Sequence, residues 1–232
     1  MIEYSSHPHY LIAVDCIVFG FDGEHLKILL VKRKLEPEIN KWSLMGGFVG
    51  KMETPDDAAN RVLKKTTGLE GVYLEQLQIY GQPERDPIER TLSVGYFALI
   101  DINKYQDQLN DDHHAEWFII TDRPKLIFDH DDMVKDARIK LRYKAALHPI
   151  LFEMLPKKFT IPQLQILFEE VNDTKIDTRN FSRKISSTGL LIKLEEKEKL
   201  GSKKGAYYFK LDKKKYKEGF QAFLNLIPRL KL

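Results

Sequence analysis

The sequence has a single cysteine, Cys16, which excludes an intramolecular disulfide and any zinc site built from several cysteines. It also has no apolar run approaching the roughly 18 residues that span a bilayer. The N-terminal segment MIEYSSHPHY lacks the basic and then apolar layout of a signal peptide. Cys16 lies in the apolar run LIAVDCIVFGF, which favours a buried strand residue over a nucleophile. These absences predict a protein of a reducing cytoplasm with no membrane partner.

Charge is present, but it is unevenly divided along the chain. The 232 residues include 37 Lys and Arg and 34 Asp and Glu, for a net charge of +3. Residues 1–156 have 19 basic and 25 acidic side chains and a net charge of −6, whereas residues 157–232 have 18 and 9 and a net charge of +9. Such asymmetry suggests that the C-terminal part faces a polyanion, although a solvated lysine-rich surface would give the same balance.

The first part of the chain alternates strand-like and turn-like segments. Apolar, β-branched runs predict five strands, at 11–21, 26–31, 73–80, 92–100 and 116–120. The segment TPDD at 54–57 is typical of a helix start and Gly68 of a helix end, which predicts a helix at 55–67. Apolar residues at helical spacing predict another helix at 131–147. The mixture of elements indicates an α+β protein.

Pro156 marks the expected boundary between two domains, 1–156 and 157–232. After it the pattern becomes helix, turn, helix and hairpin, which is typical of a winged helix-turn-helix. Thr160 and Asp177 are the expected N-caps of the two helices, and Gly189 is the expected end of the second. The hairpin strands are expected at 190–194 and 206–211, and a last helix at 213–226.

The second helix of this pattern is a candidate for reading DNA. Phe181, Ile185 and Thr188 share one face, which is expected to pack on the preceding helix. The other side presents donors for guanine edges and phosphates, from Arg179, Asn180, Ser182, Arg183, Ser186 and Ser187. The hairpin adds Lys203, Lys204 and Tyr207, which suit contact with phosphates or with the minor groove. The alternative is a winged helix that binds protein and leaves a basic face in solvent.

A motif with missing members lies at 47–69, GFVGKMETPDDAANRVLKKTTGL. Five of its residues have the spacing of the Nudix box, G-x5-E-x7-R-E-U-x-E-E-x-G-U with U aliphatic: Gly47, Glu53, Arg61, Gly68 and Leu69. In that family three glutamates hold the divalent metal ion that activates water against a diphosphate. Their positions here are Val62, Lys65 and Thr66. A valine cannot coordinate Mg²⁺ and a lysine repels it, so no metal, no catalytic residue and no hydrolase activity are expected.

With both parts considered, the chain resembles the Nudix-related transcriptional regulators over nearly its whole length. Besides the box, the resemblance rests on YLEQLQIYGQPERDP at 73–87, LIFDHDDMVKDARIKLRYK at 126–144, FTIPQLQILFEEV at 159–171 and RNFSRKI at 179–185. It implies a Nudix α/β/α sandwich with a mixed sheet, followed by a winged helix-turn-helix domain. It also implies a homodimer that binds double-stranded operator DNA and responds to a small-molecule effector.

Two branches of this family respond to different effectors, ADP-ribose in regulators of NAD metabolism and L-arabinose in regulators of pentose use in gut Bacteroidetes. The lysine-rich sequence and the box without carboxylates resemble the arabinose branch more closely, so L-arabinose is the first expectation and ADP-ribose the alternative. The resemblance suggests effector-binding roles for Arg85, Asp86, Arg90 and Glu53. An alternative for Arg85, Asp86 and Arg90 is an ion-pair network that only stiffens their loop.

Other functional hypotheses have less support. His113, His114 and Glu116 suggest a metal site, but consecutive strand residues point to opposite faces, which favours a polar turn. Asp129 is expected to cap the helix that follows it, with a role in the effector pocket as the alternative. An active Nudix hydrolase would need metal ligands from outside the box. A protein-interaction adaptor would show no salt-sensitive affinity for DNA.

Overall fold

The computed structural model describes residues 4–109, 115–199 and 205–216. The chain divides into two compact units, of which the first ends at Met154 and the second begins at Leu155. The domain boundary expected after Pro156 stays a prediction. No helix among the described residues is long and apolar enough to cross a membrane.

The first unit has seven strands and three α-helices among its described residues. In chain order they are β1 (Leu11–Phe21), β2 (Leu26–Lys32), β3 (Trp42–Ser43), β4 (Met45–Phe48), α1 (Pro55–Thr67), β5 (Glu75–Tyr80), β6 (Thr91–Asp101), α2 (Ile102–Tyr105), β7 (Ala115–Ile119) and α3 (His130–Leu147). All five strands predicted from apolar runs are present, with bounds that differ by at most about two residues. The segments at 42–43 and 45–48 are additional short strands.

The strands form one mixed sheet, in the order β3-β2-β1-β6-β5, with β4 paired to β1 and β7 to β2. The central pair, β1 and β6, is parallel, and the other pairs are antiparallel. Residues 13–21 of β1 are all buried, and since alternate residues point to opposite sides, both faces of the strand are covered. Val14, Cys16 and Val18 share a core with α1, and α3 also contacts β1. The Nudix sandwich with a mixed sheet is therefore confirmed.

Helix α1 has the bounds that its capping residues predict. The Thr54 side chain accepts a hydrogen bond from the Asp57 amide, and the Asp57 side chain accepts one from the Thr54 amide. Gly68 ends the helix with φ of 80°, a conformation that glycine adopts without a steric penalty. A Cβ atom on Gly47 would lie 2.7 Å from Cγ2 of Val62, so this glycine allows α1 to approach β4 closely.

The second unit contains β8 (Phe159–Thr160), α4 (Ile161–Asn172), α5 (Thr178–Ser187), β9 (Leu191–Glu198) and β10 (Ala206–Leu211). The strands form an antiparallel sheet in the order β8-β10-β9, so two helices are followed by a hairpin, as a winged helix requires. Thr160 and Asp177 cap α4 and α5 as predicted. The last predicted helix is seen only at 213–216, and its remainder lies outside the described residues.

Two local predictions in this unit were wrong. Strand β9 continues to Glu198 rather than ending near Leu194, because its charged residues pair with β10. Thr188 is exposed instead of packing on α4. Its hydroxyl group donates a hydrogen bond to the Ile185 carbonyl and accepts one from the Leu190 amide, so it helps to end α5. Phe181 does pack on α4, with its ring centroid 5.5 Å from that of Phe168.

Candidate effector cleft and DNA-binding surface

The first unit contains a cleft of about 550 Å³. It lies between β1, the end of β2 and the segment after it, β4, the second half of α1 and the start of α3. Its lining combines three chemical types. Apolar walls come from Val31, Leu35, Leu44, Phe48 and Phe128; a polar floor comes from Asp15, Ser43, Arg85 and His130; and cationic side chains come from Lys32, Arg33, Lys34, Arg61 and Lys65.

The polar floor is held together by Arg85, whose side chain is 4% exposed. Its Nε atom donates to Oδ2 of Asp129 at 2.9 Å, and Nη2 donates to Oδ1 at 2.8 Å. The same Nη2 lies 3.4 Å from Oδ2 of Asp15, which also accepts a hydrogen bond from Ser93 at 2.6 Å. Burial opposes the charge of Arg85, but these carboxylates outweigh burial and raise its pKa above the ordinary value.

His130 completes the floor in a defined protonation state. Its Nδ1 atom accepts a hydrogen bond from the Leu44 amide at 3.2 Å and lies 3.4 Å from Oγ of Ser43. The ring proton of a neutral histidine must then lie on Nε2, which is 3.6 Å from Oδ1 of Asp15. Burial lowers the pKa of His130, so the ring is neutral at neutral pH.

The remaining predicted effector residues differ in how they relate to the cleft. Asp86 lines it, and its carboxylate accepts a hydrogen bond from the Ile88 amide. Arg90 lies away from the lining, where its guanidinium group donates to the Gly81 carbonyl at 2.8 Å and stacks on Tyr10. Arg85 pairs with Asp129 instead of Asp86, so the three loop residues do not form the alternative ion-pair network. Their roles in effector binding stay predictions.

Glu53 lies beside the cleft and its carboxylate is already occupied. Nε of Arg61 donates to Oε2 at 2.9 Å, Nη2 of Arg61 contacts Oε1, and the Gly50 amide donates to Oε1 at 2.6 Å. The hydrogen bonds from Arg61 and then from Gly50 lower the pKa of Glu53 to about 2. Arg61 also donates to the Phe48 carbonyl at 2.9 Å, so this pair fastens the loop before α1 to the end of β4.

The three altered box positions all line the cleft, but none offers a carboxylate. Val62 is buried in the core, and the Thr66 hydroxyl group donates to the Val62 carbonyl at 2.8 Å. Lys65 is exposed at the cleft. Within residues 4–109, 115–199 and 205–216, no group of three His, Cys, Asp or Glu side chains is arranged to hold a metal ion. The residues present therefore do not fit the Mg²⁺ ion of Nudix hydrolases.

The cationic segment at 32–34, which begins at the last residue of β2, was not predicted from the sequence. Arg33 is used structurally, since its Nε atom donates to the Leu35 and Pro37 carbonyls. Lys32 lies over the Trp42 ring at 4.9 Å. Lys34 forms no ion pair with any residue that the structure describes. The signal was present as the basic run KRK next to a buried strand, but a run of charge alone does not indicate a cleft.

The candidate DNA-reading helix α5 presents its predicted residues to solvent. Exposed side chains are those of Arg179, Asn180, Arg183, Ser186 and Ser187, while Ser182 is half-buried. Nη2 of Arg183 donates to Oδ1 of Asn180 at 2.9 Å, which aligns these two side chains on one surface. A helix with exposed arginines and small polar residues on one side is suited to the major groove.

The hairpin adds two basic residues that were not predicted. The Nζ atoms of Lys193 and Lys197 lie 3.6 and 4.3 Å from the ring centroid of Tyr207. Tyr207 itself is 36% exposed. Alternation along a strand that reaches Glu198 puts residues 193 and 197 on one face, but the predicted strand ended at 194 and so left Lys197 out. The predicted Lys203 and Lys204 lie outside the described residues.

Each of the two units matches the model of a known protein family. Residues 9–138 match the model of the NUDIX domain, and residues 151–211 match that of the NrtR DNA-binding winged helix domain. The chain belongs to the Nudix-related transcriptional regulators. The fold and the family expected from the sequence are thus confirmed.

Individual relatives resemble either the whole chain or its Nudix part. The "ADPR responsive transcriptional repressor NtrR" of Acinetobacter baylyi is 30% identical over 226 residues, 96% of this chain and 90% of the relative. The ADP-ribose pyrophosphatase of Methanocaldococcus jannaschii is 36% identical over 135 residues, 58% of this chain and 76% of that protein.

Solved structures of a regulator show the same two-part resemblance. Shewanella oneidensis NrtR complexed with a 27mer DNA has a TM-score of 0.75 and 28% identity, and the match covers 89% of this chain and 95% of that one. The NUDIX domain of the same regulator complexed with ADP ribose has a TM-score of 0.52 and 28% identity, over 60% of this chain and 94% of that one.

Proposed function

We propose that this protein is a DNA-binding transcriptional repressor whose Nudix unit senses ADP-ribose without hydrolysing it. Relatives that resemble the chain are described as an ADP-ribose-responsive repressor and as a domain complexed with ADP ribose. They support ADP-ribose, which was the alternative, over L-arabinose, which was the first expectation. A pyrophosphatase is also among the relatives, and the chemistry of the cleft supports binding without turnover.

The observation that carries this proposal is the lining of the cleft at positions 62, 65 and 66. The metal-binding carboxylates of a hydrolase are replaced by an apolar, a cationic and a hydroxyl side chain. Hydrolysis of a phosphoanhydride depends on a metal ion that stabilises charge in the transition state. Without residues that hold the metal ion, the cleft is expected to bind the diphosphate and not to cleave it. Cationic side chains around the same cleft retain affinity for a diphosphate. The cleft volume is within the usual range for small-molecule sites.

The polar floor would also accommodate a second candidate effector, a free pentose such as L-arabinose. Asp15, Ser43, Arg85 and His130 bring buried donors and acceptors together, which suits the hydroxyl groups of a sugar. The terminal ribose of ADP-ribose offers similar hydroxyl groups, so the floor alone does not distinguish the two. The cations around the cleft favour the diphosphate.

Titration calorimetry of the full-length protein with ADP-ribose, AMP and L-arabinose tests the effector. The expected result is binding of ADP-ribose, together with a lower affinity for an operator selected from a random duplex pool. Binding of L-arabinose with no response to ADP-ribose would reverse the assignment. Equal operator affinity with and without every ligand would contradict an effector-controlled repressor.

A further inference from the structure

We infer that the cleft binds its diphosphate effector without a divalent metal ion, and that Lys65 supplies the positive charge in its place. This inference rests on the proposed function, because it takes ADP-ribose as the effector. Its first support is that the carboxylates nearest the box are all in use. The Glu53 carboxylate accepts hydrogen bonds from Arg61 and from the Gly50 amide. The Asp57 carboxylate accepts hydrogen bonds from the amide and the hydroxyl group of Thr54.

Asp56, the third carboxylate near the box, is also committed. It accepts a hydrogen bond from the hydroxyl group of Tyr96, which fixes it on the sheet side of α1. It does not belong to the cleft lining.

The cleft lining has two further carboxylates, but Asp15 is buried and paired with Arg85, and Asp86 accepts a hydrogen bond from the Ile88 amide. A divalent cation beside the box helix would face the positive charge of Lys65, and like charges repel. Charge as well as the loss of ligands therefore opposes Mg²⁺ at these positions.

The second support is the position of Lys65 itself. It follows Arg61 by four residues, so both project from the same face of α1, and both line the cleft. Among the described residues Arg61 is neutralised by Glu53, but Lys65 has no ion pair. The neighbouring Lys64 differs, since its Nζ atom lies 3.0 Å from Glu70 and it does not line the cleft. Lys65 is thus the box-helix cation that is free to bind an anion.

Calorimetry with ADP-ribose in excess Mg²⁺ and in EDTA tests this inference directly. We expect the same Kd in both buffers for the wild-type protein. Lys65→Ala is expected to weaken binding by about tenfold in either buffer, the usual size of one charge-assisted hydrogen bond. Lys64→Ala is the matched control on the same helix and should bind like wild type.

A Kd that rises in EDTA, or a Lys65→Ala variant with wild-type affinity, would overturn the inference while leaving ADP-ribose as effector. If ADP-ribose fails to bind in both buffers and L-arabinose binds, the effector assignment fails and the inference fails with it. Thermal melting of both variants separates loss of binding from loss of folding. Because Lys65 and Lys64 are both exposed, both variants are expected to melt like wild type.

Discussion

Arg85 and Asp129 form a two-point ion pair at the floor of the cleft, with Nε and Nη2 of Arg85 at 2.9 and 2.8 Å from the two carboxylate oxygens. The pair joins the loop before β6 to the first turn of α3. Asp129 occupies the N-cap position of α3, yet its side chain makes no capping hydrogen bond to the helix. The carboxylate expected to cap the helix instead holds Arg85, which lines the cleft, whereas Asp129 is not itself a lining residue and its pocket role stays a prediction.

We predict that Arg85→Ala destabilises the first unit. The substitution leaves Asp129 and the buried Asp15 without their cationic partner, and an uncompensated buried charge costs about 3 kcal/mol. Urea unfolding followed by the fluorescence of Trp42 and Trp117, which both belong to this unit, measures the change. Asp86→Asn, in the same loop but outside the ion pair, is the control and should unfold like wild type. An Arg85→Ala midpoint equal to that of wild type would contradict the prediction.

The sequence predicted elements whose ends are set by local chemistry. Helix α1 illustrates this, because Thr54, Pro55 and Gly68 act within a few residues of the chain. The ion pair of Arg85 with Asp129 was not foreseen, because its partners are 44 residues apart and meet only when β6 and α3 are placed on the sheet. Sequence spacing can identify a helix cap, but it carries no information on such long-range pairs.

The second prediction concerns base contacts by α5. Arg179→Ala and Arg183→Ala should each weaken operator binding by about 1–3 kcal/mol if they read bases, since a bidentate arginine–guanine contact has that value. Fluorescence anisotropy with operator and with unrelated duplex DNA measures both affinity and specificity. Lys175→Ala is the control, because Lys175 lies 2.9 Å from Glu169 and belongs to the turn before α5. Wild-type binding by the double arginine variant would show that the winged helix has another role.

The third prediction concerns phosphate contacts by the hairpin. Lys193→Ala and Lys197→Ala should weaken binding to all sequences alike and lower the salt slope by about one each, because each contact releases about one counterion. Anisotropy over a series of salt concentrations gives the slope. Lys158→Ala is the control, since Lys158 is paired with Glu196. A slope unchanged by both substitutions would remove the hairpin lysines from the interface.

The fourth prediction is the absence of phosphoanhydride hydrolysis. Incubation with ADP-ribose and Mg²⁺ should release no AMP at rates near the normal enzyme range, on the order of 1 s⁻¹. The physical reason is the lining at Val62, Lys65 and Thr66, which has no carboxylate to hold the metal ion. The archaeal ADP-ribose pyrophosphatase that resembles the Nudix part is a suitable positive control. Metal-dependent turnover at that rate would show that the protein is an active hydrolase.

The last prediction is that the protein works as a homodimer, through an apolar stripe on α3. Three apolar residues of this helix, spaced by four, are exposed: Ile139 (55%), Tyr143 (64%) and Leu147 (59%). The residues of the same helix that face the core are Met133, Ala137 and Leu141. A two-fold axis would place two recognition helices on a palindromic operator. Light scattering should therefore give about twice the chain mass of 27.1 kDa.

Charge placed on this stripe tests both the dimer and its location. Ile139→Glu combined with Tyr143→Glu should yield a folded monomer that binds a single half-site, because a carboxylate cannot be buried unpaired at an interface. Lys140→Glu, between them on the helix but outside the stripe, controls for the added charge. Effector response should be lost along with the dimer, since the ligand alters operator affinity only by favouring one arrangement of the two recognition helices. A wild-type mass near 27.1 kDa per protein, both free and on DNA, would rule out the dimer. If the double variant is still a dimer, the interface does not include this stripe.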